Sequence, residues 1–373
     1  MADKTHLVLE DGSVFEGQAF GATAPTYGEV VFNTSMTGYQ EILTDPSYSG
    51  QIVVLTYPLI GNYGVNPSDI ESKKVQVSGL VVRRHSTRPS HWESTTTLSE
   101  YLKAQGVSGI SEVDTRAITR RLRTSGVMMG TFTLGEETAQ EAGERLKRLP
   151  RYDERDYVRQ VSTAQAYDWE SPITVAEHPP AITVLDMGLK YNILRILRAK
   201  GCQVKVVPSW VTGEAILAGD PDGVVLSPGP GDPAQLEYVT RAVGGILGRV
   251  PVMGICLGHQ VLAQALGGKT YKLKFGHRGG NHPVKDIETG RVHITAQNHG
   301  YAVDPESLPG NVEVSHINLN DHTVEGMRHR ELPVMSIQYH SEASPGPLDS
   351  MYLFDRFLDM VRANPARRIR SEA

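Results

Sequence analysis

Cysteine is nearly missing: Cys202 and Cys256 are the only two in 373 residues. That excludes a disulfide framework and a cysteine-based zinc site, and it points to a reducing, cytoplasmic setting. No apolar run approaches the roughly 18 residues that a membrane span needs. The opening residues Met1 to His6 lead straight into an alternating pattern without the apolar core of a signal peptide. A strong charge of either sign is also absent. The formal net charge of −5 gives no general electrostatic reason to bind nucleic acid or an anionic membrane. There is no Gly-x-x-x-x-Gly-Lys phosphate loop, no internal repeat and no low-complexity tract. What remains is a globular composition, 39% hydrophobic and 21% charged, long enough for two domains with a core each.

The first part reads as β-rich. Alternation over Thr5 to Leu9 and Val14 to Gln18 flanks Asp11-Gly12, a strong hairpin signal. Val30 to Phe32, Ile52 to Leu55, Val75 to Arg83 and Val127 to Thr133 read as further strands. Helices are expected from Thr97 to Gln105, from an Asp114 cap to the residue before Gly126, and from Glu136 to Leu149. The polar stretches Asn33 to Glu41 and Thr44 to Tyr48 read as loops. The helix after Asp114 carries Arg116, Arg120, Arg121 and Arg123, a solvated face or a docking surface for an acidic partner. Between Pro150 and Pro180 the chain turns polar and irregular. The expected division is a first domain at 1–150, a linker at 151–180 and a second domain at 181–373.

After Pro180, strands and helices alternate. Ile182 to Leu185, Val204 to Val207 and Gly223 to Leu226 are short apolar strands, and Tyr191 to Ala199 and Ala234 to Leu247 are helices. This rhythm implies a doubly wound, mostly parallel α/β sheet with its sites at the carboxyl ends of the strands. Beyond Gly268 come antiparallel pieces at Lys269 to Leu273, Arg291 to Thr295 and Val312 to His316, then a strand Val334 to Tyr339 and a closing helix from Ser350 to Ala363. Between the first two pieces, His277 and His282 stand among Arg278 and glycines. With no acidic residue or cysteine beside them, Phe275 to Pro283 reads as a structured loop and not a metal site.

Pro251 to Gln260 carries the chemistry. Its apolar start reads as a buried strand, and Leu257, Val261, Leu262, Ala265 and Leu266 follow helical spacing up to Gly267-Gly268. Cys256 therefore sits at a strand-to-helix turn between Gly254 and Gly258, a nucleophile elbow with sulfur in place of a serine hydroxyl. A lone cysteine is more often a buried structural thiol. Here a second feature lies at the same sheet edge. His340 and Glu342, two apart after a strand, can project together, and a carboxylate makes the imidazole a better base of fixed tautomer. With Cys256 they compose a Cys-His-Glu triad of nucleophile, base and orienter.

Gly254 to Gln260 and Gln338 to Glu342 resemble the triad, or class I, glutamine amidotransferases over roughly the last half of the chain. Asn33 to Glu41, Asp45 to Tyr48, Thr56 to Asn62 and Asp114 to Arg116 resemble the N-terminal domain of carbamoyl-phosphate synthase small chains. Lys274 to Pro283, Gln297 to Tyr301 and Glu342 to Pro347 fit the same family, so the resemblance runs end to end. It implies a separate mixed β-rich domain ahead of the amidotransferase sheet and a glutaminase reaction through a glutamyl thioester. Backbone amides of Leu257 and Gly229 would hold the oxyanion. Glutamine would also meet Ser47, Gly231, Gln260, Asn298, Gly300 and Tyr301, with Ser47 reaching the pocket from the first domain. The implied partner is a large synthase chain that joins ammonia, bicarbonate and ATP into carbamoyl phosphate for arginine and pyrimidine synthesis. ATP and metal ions are expected on that chain, and no cofactor or metal on this one. Pro228 stands where asparagine is common in the family and Ser341 where proline is common, neither at a triad atom. A free-standing thiol hydrolase of γ-glutamyl substrates is the alternative on the same sheet. A non-catalytic scaffold would not keep all three triad residues.

Overall fold

The computed structural model describes residues 4–170 and 178–364. The chain divides into two units, Met1–Arg155 and Asp156–Ala373. In the first, seven strands close into a barrel. Their order around it is Lys4–Leu9, Val14–Gly21, Ser108–Ser111, Gly79–Val81, Gln51–Leu55, Tyr27–Asn33 and Met128–Phe132, which pairs back onto Lys4–Leu9. Closure leaves no open sheet edge. At the first hairpin Gly12 takes φ 84° and the Ser13 amide donates to Asp11 Oδ1 at 2.9 Å. Thr97 and Glu100 form a capping box on Leu98–Ala104, and Asp114 caps Thr115–Ser125.

Three segments of this unit fold differently from their sequence reading. Tyr39–Thr44 is a helix and not a loop, because Tyr39, Ile42 and Leu43 fall on one buried face. Pro46–Tyr48 follows as a 3-10 turn capped by Asp45. The strand expected over Val75 to Arg83 is confined to Gly79–Val81, while Val75 and Val77 fill the neighbouring core. The helix expected from Glu136 spans only Ala139–Leu146, because Thr138 and Glu141 make a capping box that sets its start.

The second unit is built on a ten-stranded sheet. Its parallel middle runs Gln203–Pro208, Ala181–Asp186, Gly223–Leu226, Val252–Ile255 and Val334–Ile337. The first strand in chain order thus lies between the second and the third, the doubly wound arrangement. Helices cover both faces. Tyr191–Ala199 and Tyr352–Ala363 bury Ile193, Leu197, Phe354 and Phe357 with Val184, Val225 and Ile255. Glu237–Gly244 and Leu257–Ala265 bury Val239, Val243, Val261 and Leu262 with Leu185, Leu226 and Val252 on the other face. Successive residues of one strand, such as Val184 and Leu185, feed opposite cores.

Beyond Val334–Ile337 the sheet continues antiparallel through Val324–His329, Val312–Asn318, Thr270–Asp286 and Val292–Val303. Phe275 to Pro283, expected as a loop, is the interior of the 17-residue strand Thr270–Asp286. Register shifts after Lys272 and after Gly279 kink it, but pairing with Gln297, Asn298 and His299 keeps it in the sheet. The strand Val324–His329 and the short helix Gly213–Ala218 had no sequence reading. Residues 151–180 are not a free linker where they are described. Val158 is buried in the second unit's core, and Tyr167–Asp168 pairs antiparallel with Gln203–Pro208. The division falls at Arg155 and Asp156, and 171–177 lie outside the described residues. Among the described residues no helix is long and apolar enough to cross a membrane.

Candidate active site

The strand Val252–Ile255 delivers Cys256 to the carboxyl edge of the parallel sheet, and the helix Leu257–Ala265 starts on the next residue. Cys256 has φ 53° and ψ −106°, a backbone state that costs roughly 1–3 kcal/mol and persists only where the surroundings impose it. The flanking glycines show the imposition. A β-carbon on Gly254 would lie 2.6 Å from the Gly258 carbonyl oxygen, and one on Gly258 would lie 2.3 Å from that of Leu226. Only bare backbone fits there. The first amides of a helix have no intrahelical acceptor and carry the positive end of its dipole. Negative charge that develops beside this helix start is therefore favoured.

The imidazole arrives from the adjacent strand. His340 follows Val334–Ile337, and its amide donates to the Ala296 carbonyl at 2.9 Å. Its Nδ1 lies 2.6 Å from Glu342 Oε1, which leaves Nε2 for the Cys256 sulfur. Glu342 is held in turn by Lys190, whose Nζ is 3.1 Å from the same oxygen. Lys190 Nζ also donates to the Ala343 carbonyl at 2.5 Å, and Asn192 Nδ2 donates to the Glu342 carbonyl at 2.5 Å. Cys256, His340, Glu342 and Lys190 are all buried.

Burial alone would lower the His340 pKa, but the Glu342 carboxylate and the Cys256 sulfur outweigh it and raise the group to about 10. Burial would raise Glu342, yet Lys190 and His340 bring it down to about 2. At neutral pH the arrangement is a buried carboxylate between two cations, with a protonated imidazole facing sulfur. It can supply a nucleophile and, at the same point, a proton for a leaving group.

The other expected residues fall into three places. Leu257 opens the elbow helix, and a β-carbon on Gly229 would lie 2.7 Å from Leu257 Cδ2 and 2.2 Å from the Met187 carbonyl oxygen. The loop Pro228-Gly229-Pro230-Gly231 therefore lies against the elbow, with Gly231 at φ 95°. On the strand Val292–Val303, the Asn298 carbonyl oxygen is 3.5 Å from Cys256 Sγ. Gly300 and Tyr301 follow on the same strand, and Gln260 Nε2 donates to the Tyr301 carbonyl and to Gln338 Oε1. The Gln260 amide nitrogen is thus engaged within the protein. Ser47 belongs to the first unit, where it is buried and its amide donates to Asp45 Oδ1 at 2.9 Å.

Lys190 and Asn192 were not anticipated. A lysine just ahead of a helix reads as solvated, and its partner is set by the tertiary fold. The available signal was position, since both follow the strand Ala181–Asp186 at the carboxyl edge where the elbow lies.

Residues 7–132 match the family described as carbamoyl-phosphate synthase small chain, CPSase domain, and residues 183–360 match glutamine amidotransferase class-I. A carbamoyl phosphate synthase small chain of Akkermansia muciniphila is 54% identical over 369 residues, covering 98% of this chain and 99% of that one. The proteins of the same name from Syntrophotalea carbinolica and Aquifex aeolicus are 50% and 51% identical, over 97% and 95% of this chain and 98% of each relative.

Proposed function

This chain belongs to the family of carbamoyl phosphate synthase small chains, and from that premise we infer that it hydrolyses glutamine to glutamate and ammonia and passes the ammonia to a large synthase chain. The observation that carries the reading is the unbroken buried line Lys190, Glu342, His340, ending at a cysteine on a strained elbow. In a chain related end to end to synthase subunits, that line is the machinery of an amide-hydrolysing subunit.

The Cys256 sulfur attacks the side-chain amide carbon of glutamine, and the carbonyl oxygen takes up the negative charge. Backbone amides of Leu257 and Gly229 receive it, each such donor contributing about 3 kcal/mol to the transition state. The C–N bond breaks as His340 gives its proton to the departing nitrogen, which leaves as ammonia and a glutamyl thioester. His340 then takes a proton from water, the resulting hydroxide attacks the thioester carbon, and glutamate leaves the sulfur. One water is consumed and His340 ends as it began. Glu342 holds the imidazole's tautomer and favours its charged form, and Lys190 keeps Glu342 ionised. Within the second unit, glutamine is held by Gly231, Gln260, Asn298, Gly300 and Tyr301, the assignments of the family resemblance.

The large chain combines ammonia with bicarbonate and ATP, and the ATP with its metal ions belongs there. The experiment is to feed the two chains glutamine or ammonium salts and to measure glutamate and carbamoyl phosphate together. Equal yields of the two products from glutamine are expected. Glutamate release that never feeds carbamoyl phosphate, together with ready cleavage of other γ-glutamyl compounds, would instead favour a free-standing thiol hydrolase.

A further inference from the structure

His277, His299 and Glu325 come from three strands of the antiparallel half of the sheet, Thr270–Asp286, Val292–Val303 and Val324–His329. All three are buried, and one donor atom from each lies within 4.8 Å of the others. The bonds around them leave those atoms facing inward. His299 Nδ1 is 2.8 Å from the Tyr301 carbonyl oxygen, which only accepts, so Nδ1 carries the ring proton and Nε2 presents a lone pair. That Nε2 lies 2.9 Å from Gln297 Oε1, another acceptor. The Gln297 amide is fixed in this sense, since its Nε2 donates to Thr295 Oγ1 at 3.1 Å and to Glu325 Oε2 at 2.9 Å.

His277 has its Nε2 2.8 Å from Asp321 Oδ2. Its Nδ1 is buried without a hydrogen-bond partner, 3.6 Å from Glu325 Oε1. Glu325 Oε1 also accepts from Asn318 Nδ2 at 2.8 Å. His299 Nε2 and Gln297 Oε1 are thus two acceptors in contact, and His277 Nδ1 meets Glu325 Oε1 only at ion-pair distance.

We propose that His277 Nδ1, His299 Nε2 and Glu325 Oε1, with Gln297 Oε1 as fourth donor, bind a divalent transition-metal ion of the zinc class. Two imidazoles with oxygen donors suit zinc or cobalt. Each imidazole's other nitrogen is bonded to a carboxylate or a backbone carbonyl, the outer arrangement that orients metal-binding histidines. Glu325 and Asp321 supply two negative charges to balance the ion. The sequence reading placed no metal here because His277 and His282 have no acid beside them; the sheet register brings the acid from Val324–His329 and the second histidine from Val292–Val303. The ion is structural. His299 adjoins Asn298, whose carbonyl faces Cys256 Sγ, and shares the Tyr301 carbonyl with Gln260. The site thus anchors the strand that backs the nucleophile.

The test is the metal content of the full chain, purified without chelator, followed by removal of the ion and titration with Co2+. Roughly one ion per chain is expected, with the visible spectrum of tetrahedral Co2+ on refilling, and a melting temperature that drops on removal and recovers on addition. Glu325→Gln and His277→Gln should bring the content to background, whereas Cys256→Ser should keep it. If a variant fails to fold, the removal and Co2+ refilling of the unmodified chain decide alone. Background metal in that chain with no Co2+ spectrum overturns the proposal, as does metal that disappears with Cys256→Ser and stays with Glu325→Gln.

Discussion

Lys190 Nζ lies 3.1 Å from Glu342 Oε1 with both side chains shut away from solvent, so the carboxylate that orients His340 owes its charge to a lysine on another strand's edge. Removing one partner of a buried pair costs about 3–5 kcal/mol, because the other charge is left alone or must take up a proton. Lys190→Met should therefore lower the unfolding midpoint. It should also weaken the hold of Glu342 on the His340 proton and move the alkaline limb of glutamine hydrolysis to lower pH. A stability loss with an unchanged pH profile would make Lys190 structural only.

The pH dependence of the unmodified chain follows from the same line of charges. In the proposed reaction His340 donates to the leaving amine, and it is raised from 6.5 to about 10, so hydrolysis should stay level through neutral pH and fall as pH rises through about 10. The sign for stability is the same. A raised group stabilises the fold fully below its unfolded value and loses that contribution through its folded one. Glu342, lowered from 4.5 to about 2, works in the opposite sense: its contribution is present above the ordinary carboxylate range and is lost toward about pH 2. A kcat limb centred near 6.5 would mean that an ordinary imidazole does the work.

The elbow should tolerate no side chain. Gly258→Ala puts a β-carbon 2.3 Å from the Leu226 carbonyl oxygen, and backbone cannot step aside as a flexible side chain would. Overpacking of this kind costs about 1–3 kcal/mol, and the displaced helix would also tilt the Leu257 amide. Denaturant midpoint and kcat should both fall. Gly244→Ala on the neighbouring helix, with no atom within 4 Å of the new carbon, is the control and should be neutral or stabilising by about 0.5–1 kcal/mol.

The elbow at Cys256 was legible in the sequence, and its support was not. Cys256 between two glycines at the end of an apolar run announces a turn from purely local chemistry. His340 and Glu342 are likewise two positions apart, a distance over which strand geometry alone decides where side chains point. Lys190 meets Glu342, and His277 meets His299 and Glu325, only through strand order and register, which no local pattern carries. Phe275 to Pro283 misled for the opposite reason. Its glycines and proline are loop chemistry, and pairing with Gln297 to His299 overrides them. Tyr39–Thr44 hid its helix among polar neighbours because Tyr39, Ile42 and Leu43, and not a long apolar stripe, hold it.

Cys256→Ser should abolish glutamine-dependent carbamoyl phosphate formation while leaving synthesis from ammonium salts intact. A serine hydroxyl facing an imidazole that already carries a proton finds no base to activate it. The comparison is made on the two-chain complex with each nitrogen source. Residual glutamine hydrolysis by the serine variant near the unmodified rate would remove Cys256 from the nucleophile's role.

This chain alone should be a poor glutaminase and become a good one with its large partner. Ammonia released into water at neutral pH becomes mostly ammonium, which is no nucleophile, so hydrolysis is useful only when the synthase is ready to receive the product. The elbow offers the means of restraint. The oxyanion donors proposed above are backbone amides of Leu257 and of a glycine-rich loop packed against it, and a misplacement of about 1 Å in such a site can cost roughly a hundredfold in rate. A small shift of the loop is therefore enough to hold the reaction back, without moving the triad. The measurement is glutamate release by the isolated chain, then with the large chain, then with bicarbonate and ATP. The rate should climb at each addition through kcat more than through KM, because alignment of oxyanion donors acts on the transition state. A rate that stays level across the three conditions would mean that the two chains hydrolyse and synthesise independently.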